Sequence, residues 1–219
     1  ENFEYEPDEV INTGLPRWDV LKDKSQGKRE ILIMPTWRNW LDSVPDKDFE
    51  ESDYFRHYMG LLNSERLNQI LEKYDLEVNF YLHAKFQEYA DTFKSISKRI
   101  HLISFGEVAV NEMLMRCRML ITDYSSVCWD ILYQDKPSLF YQFDIEKYNE
   151  AHGSYIDMET ELFGDRAATQ EQLLDYLEET VQNDFHLKPE YEKMRGEYLQ
   201  FKDHEHSRHI CEEIKKRFH

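Results

Sequence analysis

The chain has 219 residues, and its 44 acidic against 27 basic side chains give a formal net charge of −17. That length suits one domain of generous size, with a core able to stabilise itself. The acidic balance excludes nucleic acid as a partner and makes this segment no membrane binder, since both roles need a basic surface.

No run approaches the ~18–20 apolar residues that span a bilayer. The opening ENFEYEPDEV has neither the basic nor the apolar region of a signal peptide, so none is expected. The first residue is not Met, which fits a piece of a longer protein. Cys117, Cys128 and Cys211 are odd in number and unrelated in spacing, and read as reduced, mostly buried thiols of a cytoplasmic protein.

Residues 1–28 are polar, contain Gly14 and Pro16, and read as a connector. Ile31 to Met34 is a short apolar run stopped by Pro35, the mark of a buried strand. From 53 to 74 apolar residues recur at helical spacing, with a break near Asn63-Ser64. Leu76 to Leu82 predicts a second strand and 85–93 a short helix. Ile100 to Phe105 predicts a third strand, Val108 to Arg116 a helix, Met119 to Thr122 a fourth strand, Ser125 to Tyr133 a helix, and Ser138 to Tyr141 a fifth strand. Past 145 the strand signal fades, and 169–183 and 188–217 read as helices.

Strands alternating with helices predict an α/β fold, a Rossmann-like parallel sheet with helices on both faces and right-handed crossovers. The domain is expected over 29–185, with C-terminal helices over 186–219 packing on it or reaching a neighbouring domain. Ligands of such sheets bind beyond the carboxyl ends of the strands. The segments to inspect are therefore Pro35 to Asn39, His83 to Lys85, Ser104 to Glu107, Asp123 to Ser126, and Tyr141 to Asp144.

In Leu120-Ile-Thr-Asp-Tyr-Ser-Ser-Val-Cys-Trp-Asp130 a strand gives way to a helix start. Asp123 or Ser125 can cap it, the first-turn N–H groups are then free, and Ser125 and Ser126 add hydroxyl donors. Asp130 shares the helix face of Asp123 and Ser126. The segment reads either as a phosphate site or as a plain capped helix. Arg38 suits bidentate recognition of phosphate and Thr36 can donate; the alternative is a surface Arg stacked on Trp37 or Trp40. His83, at the end of the second strand beside Lys85, reads as a phosphate donor or general acid, or as a structural histidine. His204, His206 and His209 lack Cys partners and read as a solvated helix start, so no metal is expected. The sequence has no Gly-rich dinucleotide fingerprint, and no cofactor is expected.

Read together, these segments resemble the CDP-glycerol:poly(glycerophosphate) glycerophosphotransferase family of teichoic acid and capsule biosynthesis. The resemblance is carried by Gly14-Leu-Pro-Arg-Trp-Asp19, Pro35-Thr-Trp-Arg38, Ile121-Thr-Asp-Tyr-Ser-Ser126 with Asp130, Lys136-Pro137, Tyr141-Gln-Phe-Asp144, Gly153-Ser-Tyr155 and Phe163-Gly164. Departures are Ala84 after His83, Arg116-Cys-Arg118 before the signature, and His152-Gly153 where an Arg-Gly pair is common. They bear on which polyol the donor carries.

The resemblance implies the C-terminal domain of a GT-B fold that holds a CDP-glycerol or other CDP-polyol donor. A missing N-terminal domain would supply the base and the polyol-phosphate or glycan-lipid acceptor, leaving this segment inactive alone. The full-length protein is expected to be peripheral on the cytoplasmic face of the bacterial membrane. Donor contacts would come from Thr36, Arg38, His83, Asp123, Ser125, Ser126 and Asp130, with Arg38 and His83 as catalytic clamps, Asp123 as cap, and Asp130 orienting the serines or their helix. Other readings are a nucleotide-sugar glycosyltransferase or UDP-sugar epimerase half, and a non-catalytic docking module.

Overall fold

Three apolar strands form the centre of the sheet because alternate side chains must be buried on both faces. Ile31 and Ile33 of β1 (Glu30–Ile33), Met119 and Ile121 of β4 (Met119–Thr122), and Leu139 and Tyr141 of β5 (Ser138–Tyr141) join one core. Leu32, Leu120 and Phe140 from the same strands join a second core on the opposite face. The computed structural model describes residues 5–6, 9–154 and 156–218, so Tyr155 of the Gly/Tyr segment and residues 1–4, 7 and 8 of the connector lie outside the described residues.

Six parallel strands run in the order β3-β2-β1-β4-β5-β6, with β2 at Glu77–Tyr81, β3 at Ile100–Ile103 and β6 at Asp165–Ala167. The expected parallel α/β sheet is therefore present. The strand order reverses between β1 and β4, which makes the gap beyond their carboxyl ends the crevice of the sheet.

The helices follow their caps. Ser52 Oγ accepts from Phe55 N at 3.2 Å and opens α2 (Asp53–Leu62), after a short α1 (Asp46–Glu50). Ser64 Oγ accepts from Leu67 N at 3.3 Å and opens α3 (Glu65–Lys73), which explains the break at Asn63-Ser64. Then come α4 (Val110–Arg116), α5 (Val127–Tyr133), α6 (Ile145–Ala151) and α7 (Gln170–Gln182). The long helical expectation at 188–217 divides into α8 (Pro189–Tyr198) and α9 (His206–Phe218).

Three local features differ from the expectations. Residues Ala84–Thr92 wind as 3-10 helix. That winding brings residues three apart onto one line, and Phe86 and Tyr89 both meet Phe49, Tyr89 stacking on it at 3.9 Å. Strand β6 is a further strand, too short and polar to signal itself. It is held to β5 where Gly164 passes the backbone: a Cβ there would lie 2.0 Å from Ser138 O. Helix α6 follows β5 directly, with no buried residue of its own.

The segment at 13–25 is closely docked. Gly14 has φ +72°, and a Cβ on it would lie 2.0 Å from His206 Nδ1. Trp18 stacks on Tyr133 of α5 at 4.7 Å. Asp19 accepts from the backbone N–H groups of His206 (2.7 Å) and Ser207 (3.0 Å) and so caps α9. Lys136 is buried and donates to Leu114 O and Met115 O, with Asp23 3.0 Å away. The described beginning and end of the chain are thus buckled together beneath α5.

Candidate active site

The site forms where β1 and β4 separate. Thr122 Oγ1 donates to Met34 O at 2.7 Å, fixing the two strand ends side by side. Asp123 comes next and is fully buried. It accepts from Thr36 N at 2.8 Å, Tyr124 N at 2.7 Å and the Tyr58 hydroxyl at 3.1 Å. Arg38 Nη2 lies 2.8 Å from its Oδ2. Asp123 therefore ties the post-β1 loop, the post-β4 loop and α2 to one carboxylate, which is how a buried charge is tolerated.

Arg38 is also fully buried, which the surface-Arg and phosphate-clamp expectations did not include. Its Nε donates to Asp144 Oδ2 at 2.7 Å, Nη2 to Asp144 Oδ1 at 3.0 Å, and Nη1 to Thr36 O at 2.7 Å. The rings of Tyr124, Tyr54, Tyr148 and Trp40 surround its guanidinium carbon at 4.8, 5.3, 5.3 and 5.9 Å. Burial disfavours the charge, but Asp123 and Asp144 outweigh it and hold the guanidinium protonated well above its ordinary range. As a correction, the fork of Arg38 is spent on two carboxylates and a carbonyl, so here it organises the loops from beneath the rim.

Asp144 and Tyr124 complete the network, with the Tyr124 hydroxyl donating to Asp144 Oδ1 at 3.0 Å and its ring stacked on Tyr148 at 3.6 Å. Burial, then Asp144, raises the Tyr124 phenol, so it stays a donor. Gln142 is buried and donates from Nε2 to Asp123 O at 2.9 Å. The sequence singled out Asp144 only as part of Tyr-Gln-Phe-Asp. Tyr58 carried no signal beyond helical spacing, because a tyrosine hydroxyl aimed at a carboxylate looks like any apolar position in the pattern.

Beside this network stand groups with donor capacity to spare, some exposed and some buried. Ser126 is exposed and Ser125 half-buried; Ser125 Oγ accepts from Val127 N at 3.4 Å. The serine, not Asp123, therefore faces the first turn of α5, while Asp123 turns inward. His83 is half-buried, and its Nδ1 accepts from Lys85 N at 3.2 Å, which leaves the proton on Nε2. Burial, with Lys85, lowers its pKa against the pull of Asp123, so the ring is a neutral donor at pH 7. It stacks on Trp37 with centroids 6.4 Å apart. The Thr36 hydroxyl and the Trp37 indole N–H are buried with no partner among the described residues.

Asp130 needs a second correction. Its Oδ1 accepts from Arg17 Nε at 2.6 Å and Trp18 Nε1 at 2.8 Å. It points down to the buckle and orients neither serine. The histidines at 204–209 need a third. His206 is fully buried. Its Nδ1 lies 3.2 Å from Thr13 O and its Nε2 3.0 Å from the Tyr133 hydroxyl, so Nδ1 donates and Nε2 accepts. Asp203, His206 and His209 bring one ligand-type atom each within 4.8 Å of one another. Both His206 nitrogens are committed to protein partners and His209 Nε2 pairs with Asp203 at 3.1 Å, while His209 Nδ1 is buried with no partner among the described residues. Cys117 and Cys128 are buried, and burial pushes both thiols up to about 12; Cys211 is exposed.

The model of the CDP-Glycerol:Poly(glycerophosphate) glycerophosphotransferase family matches residues 1–216. The chain belongs to this family. Among similar proteins, the minor teichoic acid biosynthesis protein GgaB of Bacillus subtilis (strain 168) is 29% identical over 215 residues, 92% of this chain and 23% of GgaB. The teichoic acid glycerol-phosphate transferase of Staphylococcus aureus (strain NCTC 8325 / PS 47) is 26% identical, covering 98% of this chain and 56% of that protein. The chain thus spans from a quarter to about half the length of these curated relatives. Among solved structures, the wall teichoic acid polymerase TagF matches with a TM-score of 0.70 at 21% identity, over 99% of this chain and 55% of TagF. A UDP-N-acetylglucosamine 2-epimerase matches with a TM-score of 0.53 at 18% identity. Both likenesses bear on the fold, and they agree with the GT-B half expected of the family.

Proposed function

We propose that this chain is the donor-nucleotide-binding half of a CDP-polyol phosphotransferase. The observation that supports this reading is the reversal of the strand order between β1 and β4, the two strands whose following loops carry Thr36 and Ser125/Ser126, with His83 after the neighbouring β2, in a chain of this family. An acidic protein that binds a pyrophosphate needs such a local set of donors, because its overall field repels the ligand. The Ser125 and Ser126 hydroxyls take one phosphate, and His83 Nε2–H and Thr36 donate to the other; the first N–H groups of α5 are already bound by Ser125 and Ser126. Arg38, Asp123 and Asp144 act one layer below, holding the two loops in register.

In the reaction, an acceptor hydroxyl attacks the β-phosphorus of the donor, the bond to the bridging oxygen breaks, and CMP leaves with that oxygen. Charge grows on the leaving phosphate, so donors fixed there stabilise the transition state most. The base that takes the hydroxyl proton, and the groups that hold the acceptor, belong to the remainder of the longer protein, which is why the segment alone is expected to be inactive. Glycerol is the first polyol to test, with ribitol as the variant. The whole protein is expected to work at the cytoplasmic face of the membrane; no helix among the described residues is long and apolar enough to cross one.

Calorimetric titration with CDP-glycerol, CDP, CMP and UDP tests the reading. Saturable binding of CDP compounds, weaker UDP, and a fall with Ser126→Ala support it. Preference for UDP supports a nucleotide-sugar enzyme in its place. Absence of any nucleotide binding, in this chain and in the longer protein, removes the donor-site reading and leaves a docking module.

A further inference from the structure

The start of α9, where it packs on the connector, gathers side chains that the transfer reaction does not use. Asp203 stands three residues before His206, and His206 three before His209. Residues three apart on a helix share a face, and these side chains bring one ligand-type atom each within 4.8 Å of one another. His206 is fully buried and fixed in orientation. Gly14 closes on its Nδ1 side, and the rings of Trp18 and Tyr133 meet its ring at 5.5 and 5.4 Å. Nδ1–H donates to Thr13 O at 3.2 Å. That leaves the Nε2 lone pair, which accepts from the Tyr133 hydroxyl at 3.0 Å, a hydrogen that can rotate away. A histidine with one nitrogen donating to a backbone carbonyl is oriented as metal-binding histidines are.

His209 supplies a second, independent observation. Its Nε2 lies 3.1 Å from Asp203 Oδ2, while its Nδ1 is buried with no partner among the described residues. No protonation state of this ring is met by protein groups. A proton on Nε2 leaves a bare Nδ1 lone pair buried, a proton on Nδ1 turns the Nε2 lone pair on a carboxylate, and a charged ring buries an unpaired N–H. A cation answers the first by taking Nδ1 and the second by standing between Nε2 and Asp203. Two imidazoles and one carboxylate are ligands of zinc and its neighbours, and offer too few oxygens for calcium or magnesium. The net charge of −17 draws a cation in. We propose that Asp203, His206 and His209 bind one divalent ion of zinc-type chemistry, with a position open to water, and that the ion clips α9 to the connector. Tyr133, beside His206, lies roughly 10 Å along α5 from Ser126. The ion therefore serves the buckle between the two ends of the described chain and not the transfer.

The test is a calorimetric titration of the whole chain, first stripped with a chelator, with ZnCl₂ and, for contrast, MgCl₂. Thermal melting with and without Zn²⁺ and the visible absorption of added Co²⁺ accompany it. The expected result is one Zn²⁺ per chain, the absorption of a four-coordinate Co²⁺ ion, and a melting temperature raised by Zn²⁺ but not by Mg²⁺. Zn²⁺ affinity is expected to fall about tenfold or more in both His209→Ala and Asp203→Asn. Asp203→Asn keeps the shape of the side chain and serves if His209→Ala does not fold. No Zn²⁺ binding, or weak binding at several places that both variants retain, overturns the site. Zn²⁺ binding that leaves the melting temperature unchanged overturns the clip, and a CDP-glycerol affinity that depends on Zn²⁺ overturns its purely structural role.

Discussion

Replacing Arg38 by Met tests whether this side chain is a ligand clamp or the pin of the loops. The substitution keeps a long apolar stem and removes a charge that is 0% exposed. It strips Asp123 of its ion pair at 2.8 Å and Asp144 of two hydrogen bonds at 2.7 and 3.0 Å. Asp123 keeps Thr36 N, Tyr124 N and the Tyr58 hydroxyl, and Asp144 keeps the Tyr124 hydroxyl. Removing one partner of a buried pair costs about 3–5 kcal/mol, because the remaining charge stays desolvated. For a domain of this size that lowers the melting temperature by roughly 6–20 °C. Urea unfolding followed by tryptophan fluorescence measures the loss directly. Arg38→Lys, which keeps a charge but not the fork, is expected to lose less and serves if the Met variant does not fold. A Met variant within about 0.5 kcal/mol of the parent, as for an ordinary surface change, with nucleotide affinity alone reduced, would refute the argument and restore Arg38 as a direct clamp.

Ser126→Ala is expected to leave stability unchanged, since the residue is exposed and makes no side-chain cap bond, while weakening CDP-glycerol binding by about 0.5–1.5 kcal/mol in calorimetry. Asp130→Ala should do the opposite: a loss of about 1–3 kcal/mol in urea unfolding, from the unpaired Trp18 N–H, with nucleotide affinity retained. Gly14→Ala meets both a left-handed backbone and His206. A cost of about 1–3 kcal/mol or more is expected, read as faster amide exchange along α9, and His206→Ala should relieve the steric part. Burial lowers the pKa of His57 and of His83, so protonation is harder in the folded chain than in the unfolded one. Stability from these two rings is full above the unfolded value of 6.5 and falls as pH drops through it toward the lowered folded values. NMR titration should find both rings below 6.5, and a value above it for His83 would remove its role as a neutral donor.

Much of the fold is local arithmetic. Short apolar runs bounded by Pro35, by caps and by polar loops determine β1, β4 and β5, and their alternation with helices implies a parallel sheet. The Thr-Asp-Tyr-Ser-Ser string and its distal Asp carry the family. These features are legible because each depends on a few neighbouring residues. The type of winding at Ala84–Thr92, the strand β6 and the division of the C-terminal helix depend on what lies opposite each segment in space.

The candidate site divides along the same line. The sequence alone determined which segments gather at the carboxyl ends of the strands, because a helix between consecutive strands returns the chain so that the next strand runs the same way. It also marked Thr36, His83, Ser125 and Ser126 as groups on that rim. Only the tertiary structure decided that Arg38 and Asp123 turn inward to each other, that Asp130 serves the Arg17–Trp18 buckle, and that His206 is buried rather than solvated. The direction of such a side chain is set by partners far away in the chain, 106 positions for Arg38 and Asp144 and 193 for His206 and Thr13. No local spacing encodes them; the closing of the sheet and the docking of α9 bring them together.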